Sequence, residues 1–287
     1  MGRWKAGPQD AAVAAHRSAL NRLTSTITES AWTYRVLTLV LFLAAWQAYA
    51  ELVGGLLVPT VPETAVALVE MLAGPDLWSA LYVSNQALVL GFGLSVVLGV
   101  PIGILLGRFP SSEKYLNVYV NIALVTPLAA IIPLLVMAVG FGLTSRVILV
   151  TLFGIIMVIV NSRAGVRQVD PSLIQMARSF GASEATIWRR ILIPGSMPAI
   201  MTGMRLGLSR AITGMVIVEL LMVSVALGKM ILQYRGLFQA PDLYAVIIVI
   251  VAEALILISL IGWAERKMTP WAPNQTSSRK SRTKVTA

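Results

Sequence analysis

The chain has 287 residues, 57% of them hydrophobic and 13% charged, with a formal net charge of +10 at pH 7, one histidine and no cysteine. An ordinary soluble domain carries roughly a quarter charged residues, so this balance excludes a soluble enzyme, while the missing cysteines exclude disulfides, thiolate metal sites and cysteine nucleophiles. His16 stands alone in a polar stretch, so neither a metal cluster nor a histidine-based triad can be assembled, and the basic residues lie between and beyond apolar blocks, where topology signals and not nucleic-acid contacts belong.

Residues 1–33 hold Arg3, Lys5, Asp10, Arg17, Arg22 and Glu29 without an apolar core, so they read as a cytoplasmic tail and not as a cleavable signal. Six stretches then offer the roughly 20 apolar residues that a crossing needs: 34–53, 81–107, 118–140, 143–161, 198–223 and 243–263. Basic residues crowd before the first, leave the 54–80 connection empty, and return as Arg108 and Lys114 after the second and as Arg163, Arg167, Arg178, Arg189 and Arg190 after the fourth. The alternation predicts an all-α integral membrane protein with six crossings and both termini cytoplasmic. Domain bounds follow: the tail 1–33, a membrane domain 34–267 with a cytoplasmic loop 162–197, and a disordered tail 268–287 rich in Ser, Thr, Lys and Arg.

Val58-Pro59-Thr60-Val61-Pro62 opens the first connection with rigid turns, and Glu63 to Leu72 predicts a short amphipathic helix that cannot span. The second stretch spaces Gly91, Ser95, Gly99, Gly103 and Gly107 by four, which permits close backbone approach, and Pro101 should bend it. Pro127 and Pro133 in the third stretch free backbone carbonyls, the mark either of a kink or of a solute-path lining. The fifth stretch is expected to begin at Pro198 and carries Gly203, Gly207, Ala211 and Gly214 on one face. Glu219 in that stretch is either a path-lining group or a hydrogen-bonding anchor, and Glu253 in the sixth poses the same question. Thr126, Pro127, Met215 and Glu219 are the candidate path residues, in a cavity expected to be mostly apolar and formed by the third to fifth stretches.

The loop from Asn161 to Met197 is too long for a turn and should fold. Asp170-Pro171-Ser172 starts one helix, Gly181 stops it, Ser183 caps a second, and Ile193-Pro194 is expected to end that second one. Two readings fit: an amphipathic hairpin on the inner leaflet, or a docking helix with Ile187 and Trp188 as anchors for a cytoplasmic partner.

Gln175-Met176-Ala177, Gly181, Ile191 and Ile193-Pro194 resemble the EAA loop of binding-protein-dependent ABC importer permeases, whose pattern is Glu-Ala-Ala, three residues, Gly, nine residues, Ile, one residue, Leu-Pro. The spacing fits throughout, and Gln175, Met176 and Ile193 depart in residue type. Pro59-Thr60-Val61-Pro62, Pro127 with Pro133 to Gly142, and Met268-Thr269-Pro270-Trp271 are similar to the subfamily that imports sulfonates, taurine, nitrate and related oxyanions. That subfamily commonly has Gly-Leu-Gly after the fifth helix, where this chain has Ala226-Leu227-Gly228.

The resemblance implies a type I importer permease in the bacterial inner membrane. It would be non-catalytic and bind no cofactor, working as a homodimer with cytoplasmic ATPase subunits that hold ATP and Mg, and with an extracytoplasmic binding protein. It assigns ATPase docking to Ala177, Arg178, Gly181, Ala182, Ser183, Glu184, Ile187, Trp188 and Arg189. Gly228-Lys229, with Met230 after it, is not a phosphate loop, so ATP hydrolysis is expected elsewhere. A secondary transporter or channel without ATPases is the rival, and no internal repeat of the kind such folds show is visible.

Overall fold

A computed structural model describes residues 31–54, 57–221 and 225–271. Of the expected tails 1–33 and 268–287, residues 1–30 and 272–287 lie outside these residues, while 31–33 belong to α1 and 268 ends α11. Among the described residues the regular elements are helical: α1 Ala31–Val53, α2 Val61–Ala73, α3 Pro75–Arg108, α4 Pro110–Val125, α5 Leu128–Val139, α6 Leu143–Gln168, α7 Pro171–Ser179, α8 Glu184–Ile187, a π-helical turn Trp188–Leu192, α9 Ile193–Leu221, α10 Ala226–Gly236 and α11 Ala240–Met268. A helix satisfies its backbone groups internally, which is what a chain in lipid requires. The chain divides into two compact units, one ending at Val66 and the other starting at Ala67.

In the first unit α1 exposes Leu39, Leu41 and Phe42, an apolar surface suited to lipid. The chain after α1 is tied back to it: the Trp46 indole N–H donates to the Pro59 carbonyl at 3.0 Å, and Gln47 Oε1 accepts the Val61 N–H at 3.0 Å. Thr60 and Glu63 form a capping box, with the Thr60 N–H donating to Glu63 Oε2 at 2.9 Å and the Glu63 N–H to Thr60 Oγ1 at 3.4 Å. This is why α2 starts at Val61, with Pro62 in its first turn, where a missing N–H costs nothing.

The second unit is built around α6, which packs along α3 on one side and α9 on the other. Small residues explain both contacts. A Cβ on Gly103 of α3 would sit 2.5 Å from the Ile159 carbonyl oxygen and 2.6 Å from Ser162 Cβ of α6. On the other side Gly203 fits against Asn161, Gly207 against Val158 and Gly214 against the Phe153 ring, while α6 presents Gly165 to Ser196 of α9. Helices that approach this closely gain dispersion and backbone contact, the main source of cohesion in lipid. α10 and α11 then cover α9, with Leu227, Met230, Ala245, Val246 and Val249 joining Leu88, Val150, Leu208 and Met215 in one apolar core.

Two proline expectations need correction. The third stretch is not one kinked helix: Asn117–Val125 and Leu128–Val139 meet at 98°, a broken span or re-entrant turn. Thr126, preceding Pro127, is extended (φ −67°, ψ 125°), as the proline ring demands of its neighbour, and its hydroxyl donates to the Ile122 carbonyl at 2.7 Å. Conversely, Ile193-Pro194 does not end a helix and Pro198 does not begin one. The helix runs from α8 through the π-helical turn into α9, and the Ile193 N–H bonds back to the Trp188 carbonyl, five residues earlier. The wider turn makes room for the Pro194 ring, and the Ser196 hydroxyl donates to the Leu192 and Ile193 carbonyls at 2.7 and 3.1 Å in a segment where the prolines have no N–H.

Candidate functional site: a helical elbow at one end of a continuous helix

The elbow is specified locally. Asp170 caps α7 by accepting the Ser172 N–H at 2.8 Å, and that bond holds its carboxyl below the usual aspartate range. Gly181 ends α7 at φ +72°, a conformation that favours glycine, while the Ala182 N–H reaches the Ala177 carbonyl at 2.9 Å in a Schellman arrangement. Ser183 restarts the chain by capping α8 through the Thr186 N–H.

Two arginines fasten the elbow. Glu184 accepts from Arg178 of α7 at 2.6 Å and from Arg108, the last residue of α3, at 3.1 Å. The Arg108 guanidinium lies over the Phe109 ring, which contacts the Trp188 ring at 6.3 Å between centroids. Ile187 is 0% exposed and packs with Ile104, Val166, Val169, Leu192 and Ile200.

Ile187 is therefore not a free anchor for a partner, contrary to the sequence expectation. The π-helical turn rotates it into the chain's own core, and half-buried Trp188 leans on Phe109 beside it. What the elbow exposes is Gly181, Ser183, Glu184, Ala185 and Arg189, with Arg178 on α7 and Phe180 just after it, the last 83% exposed, while Ala177 and Ala182 are half-buried. Ala185, Thr186, Arg189 and Arg190 line a shallow groove on this face. Ile187→Ala should lower the melting free energy of the purified chain by about 2–5 kcal/mol, whereas Arg189→Ala should stay within about 0.5 kcal/mol. A thermal melt in detergent checks both.

The four path candidates fall into two groups. Thr126 and Pro127 occupy the sharp break between α4 and α5, Pro127 on the surface. Met215 and Glu219 are each 1% exposed inside the second unit. Glu219 is held by Ser84 and Gly228, and the sequence alone gave no reason to pair them. The hydroxyl of Ser84 in an apolar stretch was the available signal, as was Arg108 for Glu184.

Four described helices are long and apolar enough to cross a bilayer, and the two bent pairs raise the number to as many as six, so the chain is a multi-pass membrane protein. It belongs to the family described as binding-protein-dependent transport system inner membrane component, whose model matches residues 99–270. The chain is 31% identical to the taurine transport system permease protein of Escherichia coli strain K12, over 82% of this chain and 88% of that one. It is 30% identical to a putative aliphatic sulfonates transport permease protein of Bacillus subtilis strain 168, over 84% and 88%. A riboflavin transport system permease protein of Chloroflexus aurantiacus is 29% identical over 82% and 88%. The fold matches a chain of the MetNI methionine ABC transporter with a TM-score of 0.58, at 19% identity, over 69% of this chain and 97% of that one.

Proposed function

We propose that this chain is the membrane-spanning permease subunit of an ATP-driven importer for a small sulfonate or related anion in the bacterial inner membrane. It crosses six times, with the α4–α5 pair as one crossing and both termini in the cytoplasm. It pairs with a second copy and receives solute from an external binding protein. Each copy takes one ATPase subunit on the elbow 177–189, and ATP and Mg are bound and used there, not in this chain.

The observation that carries this reading is the continuity of the helix from Glu184 to Leu221, because a docked elbow then moves α9 directly instead of through a loop. Closure of the two ATPases on ATP brings the elbows together, and the lever shifts α9 and the α6 and α3 helices keyed to it by glycine contacts. A switch between two packed arrangements, biased by the nucleotide state, is how such binding energy moves a solute site from one face to the other. The sulfonate assignment rests on the two relatives near 30% identity.

Proteoliposomes holding the chain, its ATPase and its binding protein should accumulate radiolabelled taurine only with internal ATP. Uptake driven by an ion gradient in the chain alone would assign it to secondary transport instead. ATP-driven uptake of riboflavin but not of any sulfonate would keep the importer and overturn the solute class.

A further inference from the structure

Far from the elbow, the same helix ends in a buried polar clamp. Glu184 and Glu219 are separated by about 50 Å of helix at about 1.5 Å per residue. Glu219 Oε1 accepts the Ser84 hydroxyl of α3 at 2.7 Å, and Oε2 accepts the Gly228 N–H of α10 at 3.1 Å. The Ser84 oxygen in turn accepts the Leu227 N–H at 3.4 Å. Arg146 of α6 places Nη1 3.9 Å from Oε1 while donating to the Val83 carbonyl at 3.2 Å. One residue along α3, the Asn85 amide donates to Glu253 of α11 at 2.6 Å. Five helices, α3, α6, α9, α10 and α11, thus meet at these two carboxylates.

We infer that Glu219 is a positioning residue that fastens the start of α10 to α3 and α9, setting the shape of the bundle's far end without touching solute. Three observations support this. Glu219 is closed off from any path, at 1% exposure. Both of its oxygens are spent on protein donors, and one bond goes to a backbone N–H that only α10 supplies. The third is backbone strain immediately before the clamp: Ala226 stands at φ +56°, in the left-handed region that favours glycine. A non-glycine residue in that region is strained and persists where its surroundings over-determine it. The N–H groups of the next two residues, Leu227 and Gly228, are the ones Ser84 and Glu219 hold. Gly228 must itself be small, since a Cβ there would lie 2.6 Å from the Glu219 backbone.

The chain has no cysteine, so spin labels at Tyr82→Cys on α3 and Lys229→Cys on α10, both exposed, report the clamp without touching it. Labelled chain is diluted with unlabelled chain to suppress signals between copies. One narrow distance is expected in the resting state, unchanged when the complex with its ATPase is trapped with vanadate. Glu219→Ala should broaden that distance; if it does not fold, Ser84→Ala and Glu219→Gln are read in its place. In uptake assays, where this inference rests on the importer reading, the maximal rate should fall severalfold with the apparent KM for solute unchanged. A distance untouched in every folded variant overturns the inference, as does one that shifts in wild type on trapping, or a raised KM, which would put Glu219 in the path. If wild type shows no ATP-driven uptake the importer reading fails, while the resting distances still decide the clamp.

Discussion

Replacing Gly103 with alanine is expected to destabilise the chain by about 1–3 kcal/mol, the usual cost of overpacking. Gly93→Ala, on the same helix, should leave stability unchanged or raise it by up to about 1 kcal/mol through helix propensity. The two differ only in what a methyl group meets. At Gly93 there is nothing within 4 Å, whereas at Gly103 the obstacle includes a backbone carbonyl oxygen at 2.5 Å, which cannot swing aside as a side chain would. Relief therefore requires α3 and α6 to separate, and that seam continues through Gly91 against Val150, Gly99 against Val158 and Gly107 against Val166. Melting curves from size-exclusion of heated, detergent-solubilised protein would separate the variants. Equal melting would mean that the α3–α6 seam has room for a methyl group at Gly103.

Deleting Arg190 should abolish ATP-driven uptake, by at least tenfold, while the chain still inserts and the α3–α6–α9 packing survives. The reason lies in the π-helical turn, whose Ile193-to-Trp188 bond contains one residue more than an α-turn. Removing a residue restores the ordinary period and rotates α8 by about 100° against α9. Ile187 would leave its pocket among Val166, Leu192 and Ile200, and the groove of Ala185 and Arg189 would face elsewhere. Pro194 would also meet a normal α-turn, with its ring against a carbonyl. Arg190→Ala keeps the turn length and should keep uptake, so uptake by reconstituted complexes distinguishes the lost turn from the lost charge. Full activity in the deletion variant would show that elbow orientation does not matter.

Much of the fold is legible in the chain because its signals are local. Five of the six apolar stretches, the glycines at spacings of four, and the Asp170-Pro171, Gly181 and Ser183 punctuation act within a few residues and correspond to observed elements, while the third stretch is split between α4 and α5. Proline misleads because its missing N–H can be absorbed in different ways. At Pro127 the chain breaks through 98°, while at Pro194 a widened turn lets the helix continue, and it runs on through Pro198. Ile187 is buried largely by residues distant in the chain, Ile104, Val166 and Ile200 among them, which its local pattern does not mark. The partners of Glu219 were hidden for a different reason: Ser84 lies 135 residues away in sequence, and only tertiary packing brings the two together.

A photoreactive amino acid at Ala185, exposed on the elbow groove, tests the central claim most directly when irradiated in living cells. The expected product is a covalent adduct with a cytoplasmic subunit bearing a Gly-x-x-x-x-Gly-Lys-Ser/Thr phosphate loop, identified by mass spectrometry, and no such adduct from the same probe at the exposed Leu90 of α3. Adducts with lipid alone from Ala185, or the same ATPase captured equally from both positions, would contradict the account of this elbow as the place where ATP-driven motion enters the membrane.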